Sequence, residues 1–382
     1  MAILLSVGLG LFLADGVISL TDDSLILLFD VHVLAVLRGL VCLFALLAIL
    51  AIYGLMGLTP MIPKRLFLPV TLFYPLALLT AIPLLIYHYD RIQQAAWGIS
   101  FAQVVIGLIV LGLAQGGRKI RWPLVPEPRL GARRFSWLNL TAFGLANLCG
   151  LLPAVIVYLM FCTSLAVGHF SDGFLSLHPG GLSAQVRKYV RNDGRVIQLV
   201  PMAHIGDAGF YRQIARSFPS NAIVLLEGVT DNQNLLTNKI SYKRVATKLG
   251  LAEQQKEFKP TGAELVRADV DVEVFSTNTI SLLNLIMRVQ AKGLNAETLR
   301  ELMQCQPSPE EQAQLLDDLL AKRNQHLLTE IRNRLSQPKM LIVPWGAAHM
   351  PGIAKEIQKS GFHLDTTQEY RLIRFRGFGK AP

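Results

Sequence analysis

Met-Leu-Ile-Val-Pro-Trp-Gly-Ala-Ala-His-Met-Pro-Gly-Ile, residues 340–353, decides how the second half of this chain folds. Met340 to Val343 is an apolar run with the length of a short buried strand. Pro344 and Gly346 are expected to end it, and a helix is expected from about Ile353. His349 would then stand just past a strand's carboxyl end, where open α/β sheets bind ligands. About 145 positions earlier the pattern recurs. Val196 to Val200 reads as a strand, Pro201-Met202-Ala203-His204 follows, and a helix begins near Gly209. Two strand–loop–His–helix units in one domain imply that both imidazoles face one site.

Outward from these units, 222–226 is a further strand that delivers Glu227 at its carboxyl end, ahead of Gly228. Strand, helix and strand with short loops is the βαβ pattern of a sheet with helices packed on it. A helix is expected at 238–249, and the alternation of Val270 and Val272 with Asp269, Asp271 and Glu273 predicts a half-exposed strand. Helical periodicity runs through 277–292, 296–304 and 309–335, with Ser308 a cap ahead of Pro309 and Glu311. Residues 353–359 form the last expected helix, and the tail to Phe375 has strand-like residues. Gly and Pro punctuation makes 169–194 read as a tether.

Composition divides the chain. Of its 382 residues 52% are hydrophobic and only 17% charged, a balance that places part of it in lipid. Residues 1–168 hold ten of the 37 Lys/Arg and six of the 27 Asp/Glu, so the +10 net charge splits into +4 and +6. Five segments, 2–20, 34–58, 66–88, 94–115 and 137–168, are long and apolar enough to span a bilayer. The first carries Asp15 and has no basic residue before it, unlike a signal peptide. Asp15, Arg38 and Asp90 are expected near span ends, where long side chains reach the interface, and Asp22, Asp23 and Asp30 in an external loop. Residues 116–136 contain Arg118, Lys119, Arg121, Arg129, Arg133 and Arg134 against Glu127 alone, which marks that loop as cytoplasmic. With five spans the amino terminus is then inside and the second half outside. No basic stripe interleaved with aromatics points to nucleic acid. No Cys-x-x-Cys pair occurs, and Cys305 is the single cysteine of the second half, expected as a free thiol.

The expected architecture is therefore a multi-span α-helical membrane region (1–168), the tether (169–194), and an α/β domain with a mixed sheet and a helix-rich insertion (195–382). His204, Glu227 and His349 would lie along one sheet edge. Two imidazoles and a carboxylate can hold a divalent ion with positions left for water and substrate, which suits metal-assisted hydrolysis. Each residue also has a plainer role: a histidine at a strand end often only caps or hydrogen-bonds, and Glu227 could pair with Arg267 or Arg323. The same ligand types describe a non-haem iron oxygenase, although a helix-rich second half does not suit the barrels that carry such sites.

These residues resemble the TraB/PrgY/GumN and Tiki proteins. Gly346-Ala347-Ala348-His349 is similar to the second Gly-x-x-His motif of that family, His204 within Pro-Met-Ala-His-Ile-Gly to the first, and Glu227 to its acidic residue. Arg323-Asn324 and Ala268-Asp269-Val270-Asp271 resemble two other shared stretches. The likeness covers roughly 195–375 and none of the membrane half. It implies a metal-dependent, peptidase-like hydrolase in which His204, Glu227 and His349 hold Mn, Co or Zn, Arg323 stabilises an oxyanion or orients Glu227, and Asp271 is a further ligand or supporting group. Its substrate would be a peptide or protein. The domain would face outside the cytoplasm from the inner (plasma) membrane. Pro201 stands where the family has glycine and has no N–H to offer there. That departure supports the alternative of a non-catalytic peptide- or signal-binding protein.

Overall fold

The computed structural model describes residues 1–117, 120–237, 242–293, 295–305, 307–337 and 340–375. Arg118 and Lys119 of the basic loop, and the first four positions of the helix expected at 238–249, lie outside the described residues. The chain forms two compact units, Met1–Leu165 and Ala166–Pro382.

In the first unit, α1 (Ala2–Phe29), α2 (Ala35–Leu58), α3 (Lys64–Tyr87) and α4 (Ile92–Gln115) are long apolar helices. α5 (Trp137–Leu145) runs through a π-helical turn at Ala146–Leu151 into α6 (Leu152–Phe170). Among the described residues, five helical stretches are long and apolar enough to cross a membrane. Leu5, Leu9 and Phe12 of α1 pack with Ile49, Ile52 and Met56 of α2, Phe67 and Val70 of α3, and Val110 and Ala114 of α4. Two expectations fail here. α1 continues nine residues past position 20, so Asp22 and Asp23 are helical and buried rather than in a loop. Arg38 and Ser100 donate to Asp23, and Arg38 also to Asp22, which lets the helix carry them. Asp15 lies in the middle of α1, not near its end.

The second unit begins with β1 (Leu175–His178) and β2 (Gly181–Val190), so the expected tether is part of the sheet. Burial alternates only over Ala184–Arg187, between register shifts at Leu182/Ser183 and Lys188/Tyr189, so the period-two signal of this strand is short and its Gly and Pro punctuation obscured it. β3 (Val196–Met202), β4 (Ile205–Gly206), α7 (Ala208–Arg216) and β5 (Ile223–Leu226) follow. Next come α8 (Lys243–Leu249), β6 (Ala252–Glu253), α9 (Gln254–Glu257) and β7 (Glu264–Arg267). α10 (Thr277–Lys292), α11 (Ala296–Gln304) and α12 (Pro309–Leu316) make the helical insertion. A second π-helical turn, Asp317–Lys322, leads into α13 (Arg323–Arg334), then β8 (Leu341–Gly346), α14 (Met350–Lys359) and β9 (His363–Arg374).

The sheet is mixed, in the order β1-β2-β3-β8-β5-β7, with β9 antiparallel along β2. β3, β8, β5 and β7 are parallel. Leu341, Val343 and Trp345 face α13 and α14 through Leu327, Ile331, Met350 and Ile353. Ile342, Val200 and Val224 face α7 through Phe210, Tyr211 and Ile214. Helices thus cover both sides of the parallel strands, as such strands require.

Two local readings are corrected. β8 runs through Pro344 to Gly346, because β5 pairs with it only at Leu341 and Ile342 and the missing N–H breaks no bond on that side. The strand expected at 269–273 lies earlier, at Glu264–Arg267. Asp271 instead accepts from Glu273 N and caps a short 3-10 turn at Val272–Val274. Ser308 and Glu311 form the expected capping box of α12, and Cys305 is a free thiol.

Asp318, fully buried, ties the insertion together. It accepts from Ser276 N (2.9 Å), Thr279 Oγ1 (2.7 Å) and Lys322 Nζ (2.6 Å). Burial alone would raise its pKa; the Lys322, Thr279 and Ser276 contacts outweigh that and hold it well below the usual carboxylate range. Asp318→Ala is expected to destabilise this region by about 2 kcal/mol, read as faster hydrogen exchange in peptides from α10 and α13 while those from β3 and β8 are unchanged.

Candidate functional site

Strand order positions the site. β3, β8 and β5 are neighbours, and each points its carboxyl end the same way. The residues just past those ends are His204, His349 and Glu227, as the sequence pattern implied. β7 adds Ala268 and Asp269 beyond Arg267. α13 brings Arg323 and Asn324 across these ends.

The guanidinium of Arg323 is the centre. Its Nε donates to Asp269 Oδ1 (3.0 Å) and its Nη2 to Asp269 Oδ2 (2.6 Å). Nη2 also reaches Glu227 Oε1 (2.8 Å), and Nη1 lies 3.2 Å from His349 Nε2. The indole of Trp345 lies beneath, 5.5 Å from the guanidinium carbon, fixed by its own N–H to Leu225 O (2.9 Å). Burial alone would lower the pKa of Arg323; Asp269 and Glu227 outweigh it and raise the value further.

His349 is 4% exposed. Its Nδ1 lies 2.7 Å from Asn324 Oδ1, an oxygen that can only accept. Nδ1 therefore carries the proton, and Nε2 presents its lone pair to Arg323. Burial first, then the Arg323 charge, pushes the imidazole down to about 4, so it is neutral in ordinary buffers. Gly352 leaves room for this clamp: a Cβ there would come within 2.8 Å of Asn324 Nδ2 and push on the amide. Glu227 is held at both oxygens, Oε1 by Arg323 and Oε2 by Gly346 N at 2.6 Å.

The two strand–loop–His units are not equivalent. Gly346, three positions before His349, uses its N–H to hold Glu227. Pro201, three before His204, has none to give. His204 is exposed and stacks on Tyr242, with ring centres 4.8 Å apart. His349 and Glu227 face each other at 3.7 Å, but Nη1 and Nη2 of Arg323 already contact both. Among the described residues, no three His, Cys, Asp or Glu side chains are grouped to hold a metal ion. Glu227 and His349 converge on a cation the chain itself supplies, while His204, close enough for its charge to act on His349, stacks on tyrosine. Asp271 lies outside the cluster, holding Thr230 Oγ1 (2.7 Å) and Asn232 N (3.1 Å).

One contributor escaped the sequence reading and another had no role there. Asp269, named in a shared stretch in which only Asp271 was given a role, holds Arg323 and also accepts from Gly228 N at 3.0 Å. Tyr242 had no signal, since only the fold brings it to His204. A cleft of about 510 Å³ lies elsewhere, among α10–α12 beside Asn278, Arg288, Glu301 and Cys305, and shares no residue with the Arg323 cluster. The sequence matches no protein-family model, no curated protein and no solved structure.

The depressed value of His349 gives a signed expectation. Between about 4 folded and 6.5 unfolded, the unfolded chain binds more protons, so stability rises with pH across that window. The urea midpoint of the second unit, from pulse proteolysis of the detergent-solubilised chain, should fall from pH 6.5 toward pH 4. It should fall less steeply in His349→Gln.

Proposed function

We propose that the chain is a membrane-anchored, peptidase-like hydrolase of the TraB/Tiki kind, set in the plasma membrane with its α/β domain outside the cytoplasm. One observation carries the reading. Stretches the resemblance picked out separately, at Glu227, Asp269, Arg323-Asn324 and Gly346–His349, converge in a single buried hydrogen-bonded cluster at the carboxyl ends of parallel strands. Such an edge is where α/β sheets place their chemistry. The charge bias of the 116–136 loop supports the orientation.

In this reading Arg323 offers fixed positive charge to a peptide carbonyl oxygen as it becomes negative, the usual source of stabilisation in acyl transfer. Glu227 takes the proton of the attacking water and returns it to the leaving amine as the peptide C–N bond breaks. His349, neutral and held in one tautomer by Asn324, orients the reacting groups through Nε2. A divalent ion would need the guanidinium to leave its place between Glu227 and His349, so no step is routed through one.

A binding-module reading has an observation of its own: both oxygens of Glu227 and both nitrogens of His349 already have partners within the chain. Incubating the detergent-solubilised full chain with a mixed peptide pool, with and without Mn, Co or Zn, separates the two. Hydrolase activity should appear and fall at least about 100-fold in Arg323→Ala and His349→Ala. Peptides that stay intact in every condition would sink the hydrolase. For orientation, a reporter that matures only outside the cytoplasm, fused after Pro382, should be active; a silent fusion would reverse it.

A further inference from the structure

The membrane unit holds two kinds of buried carboxylate on one helix. Asp23, 1% exposed, is compensated: Arg38 Nη1 (2.7 Å) and Gln93 Nε2 (3.2 Å) donate to Oδ1, and Ser100 Oγ (2.6 Å) to Oδ2. Asp22 shares the same arginine at 3.2 Å, though its Oδ1 has no partner. Asp15 differs. It is 2% exposed, and among the described residues it forms no ion pair. It lies about 20 Å along α1 from either end. Tyr74 Oη (2.7 Å) and Gln103 Nε2 (2.8 Å) both donate to Oδ2. Oδ1 is buried with no hydrogen-bond partner.

A carboxylate without a counter-charge in so apolar a setting is strongly disfavoured. Two neutral donors on one oxygen do not replace a cation, and the other oxygen is buried without a hydrogen-bond partner. We infer that Asp15 is the site at which the α1–α4 bundle takes up a monovalent cation, a proton or Na⁺. Oδ1 is the open ligand atom, and Tyr74 and Gln103 orient the carboxyl group from α3 and α4. Among the described residues the Cys42 thiol of α2 faces it, and the Arg38 guanidinium, paired with Asp22 and Asp23, lies further along the bundle. The bundle would then do more than anchor the domain, and this holds whether or not the Arg323 cluster hydrolyses anything.

The test uses the full chain in lipid nanodiscs and a hydrophobic carbodiimide, which adds to protonated carboxyl groups in apolar surroundings. Peptide mass spectrometry reads the label, with Asp15→Asn as control for its position. In sodium-free choline buffer, label at Asp15 should exceed that at Asp22 and Asp23 at least about tenfold, and it should fall when the buffer is made alkaline. If Na⁺ at fixed pH also suppresses it while K⁺ does not, the cation is Na⁺; if neither does, it is the proton. No label at any pH, or label independent of both pH and Na⁺, would overturn the proposal, the latter marking a permanently neutral structural acid.

Discussion

The ion-pair fork of Arg323 is the constraint on which the second unit's carboxyl edge depends. One guanidinium joins the residue after β5, the residue beyond β7 and the histidine after β8, three places far apart in sequence. All of these groups are withdrawn from water. A buried guanidinium with a single carboxylate would leave hydrogen-bond donors unsatisfied; with Asp269 bidentate, Glu227 at Nη2 and His349 at Nη1, its fork is almost fully used. The same cation that pairs with Glu227 adds to the effect of burial in keeping His349 neutral.

Position follows from strand order. Because β3, β8 and β5 are adjacent and parallel, their carboxyl ends bring residues 204, 349 and 227 to one edge. The two histidine units nevertheless diverge at one atom. Gly346 supplies an N–H to Glu227, whereas Pro201 has none, and the second imidazole lies on Tyr242 in solvent rather than in the cluster. Internal repetition in the sequence thus gives related backbones and unlike environments.

Much of this was legible from residue patterns. The five helical stretches long and apolar enough to cross a membrane, the parallel strands leading to His204, Glu227 and His349, the insertion helices and the Ser308 cap all rest on local periodicity or capping chemistry, and the structure has them. What local pattern could not carry was long-range compensation. Asp22 and Asp23 read as loop residues because their partners, Arg38 and Ser100, are on other helices. Residues 175–190 read as a tether because β2 becomes a strand by pairing with β9, far along the chain. At the site, Glu227 had two candidate arginines, and only the packing of α13 across the strand ends selects Arg323. Asp269 and Asp271 both sit in one acidic stretch. The first turns into the cluster while the second secures the loop at Thr230, a difference of backbone direction that alternation alone misassigned to a strand.

A double-mutant cycle tests most directly whether the Arg323 fork organises this edge. Hydrogen exchange of peptides covering β5 and β8, measured in the full chain, would compare wild type, Arg323→Met, Asp269→Asn and the double variant. Coupled buried charges should give an interaction energy of at least about 2 kcal/mol between the two sites, the double variant being far less destabilised than the sum of the singles. Additive effects, within about 0.5 kcal/mol, would contradict the account: Arg323 and Asp269 would then act independently, and the cluster would owe its geometry to strand packing alone.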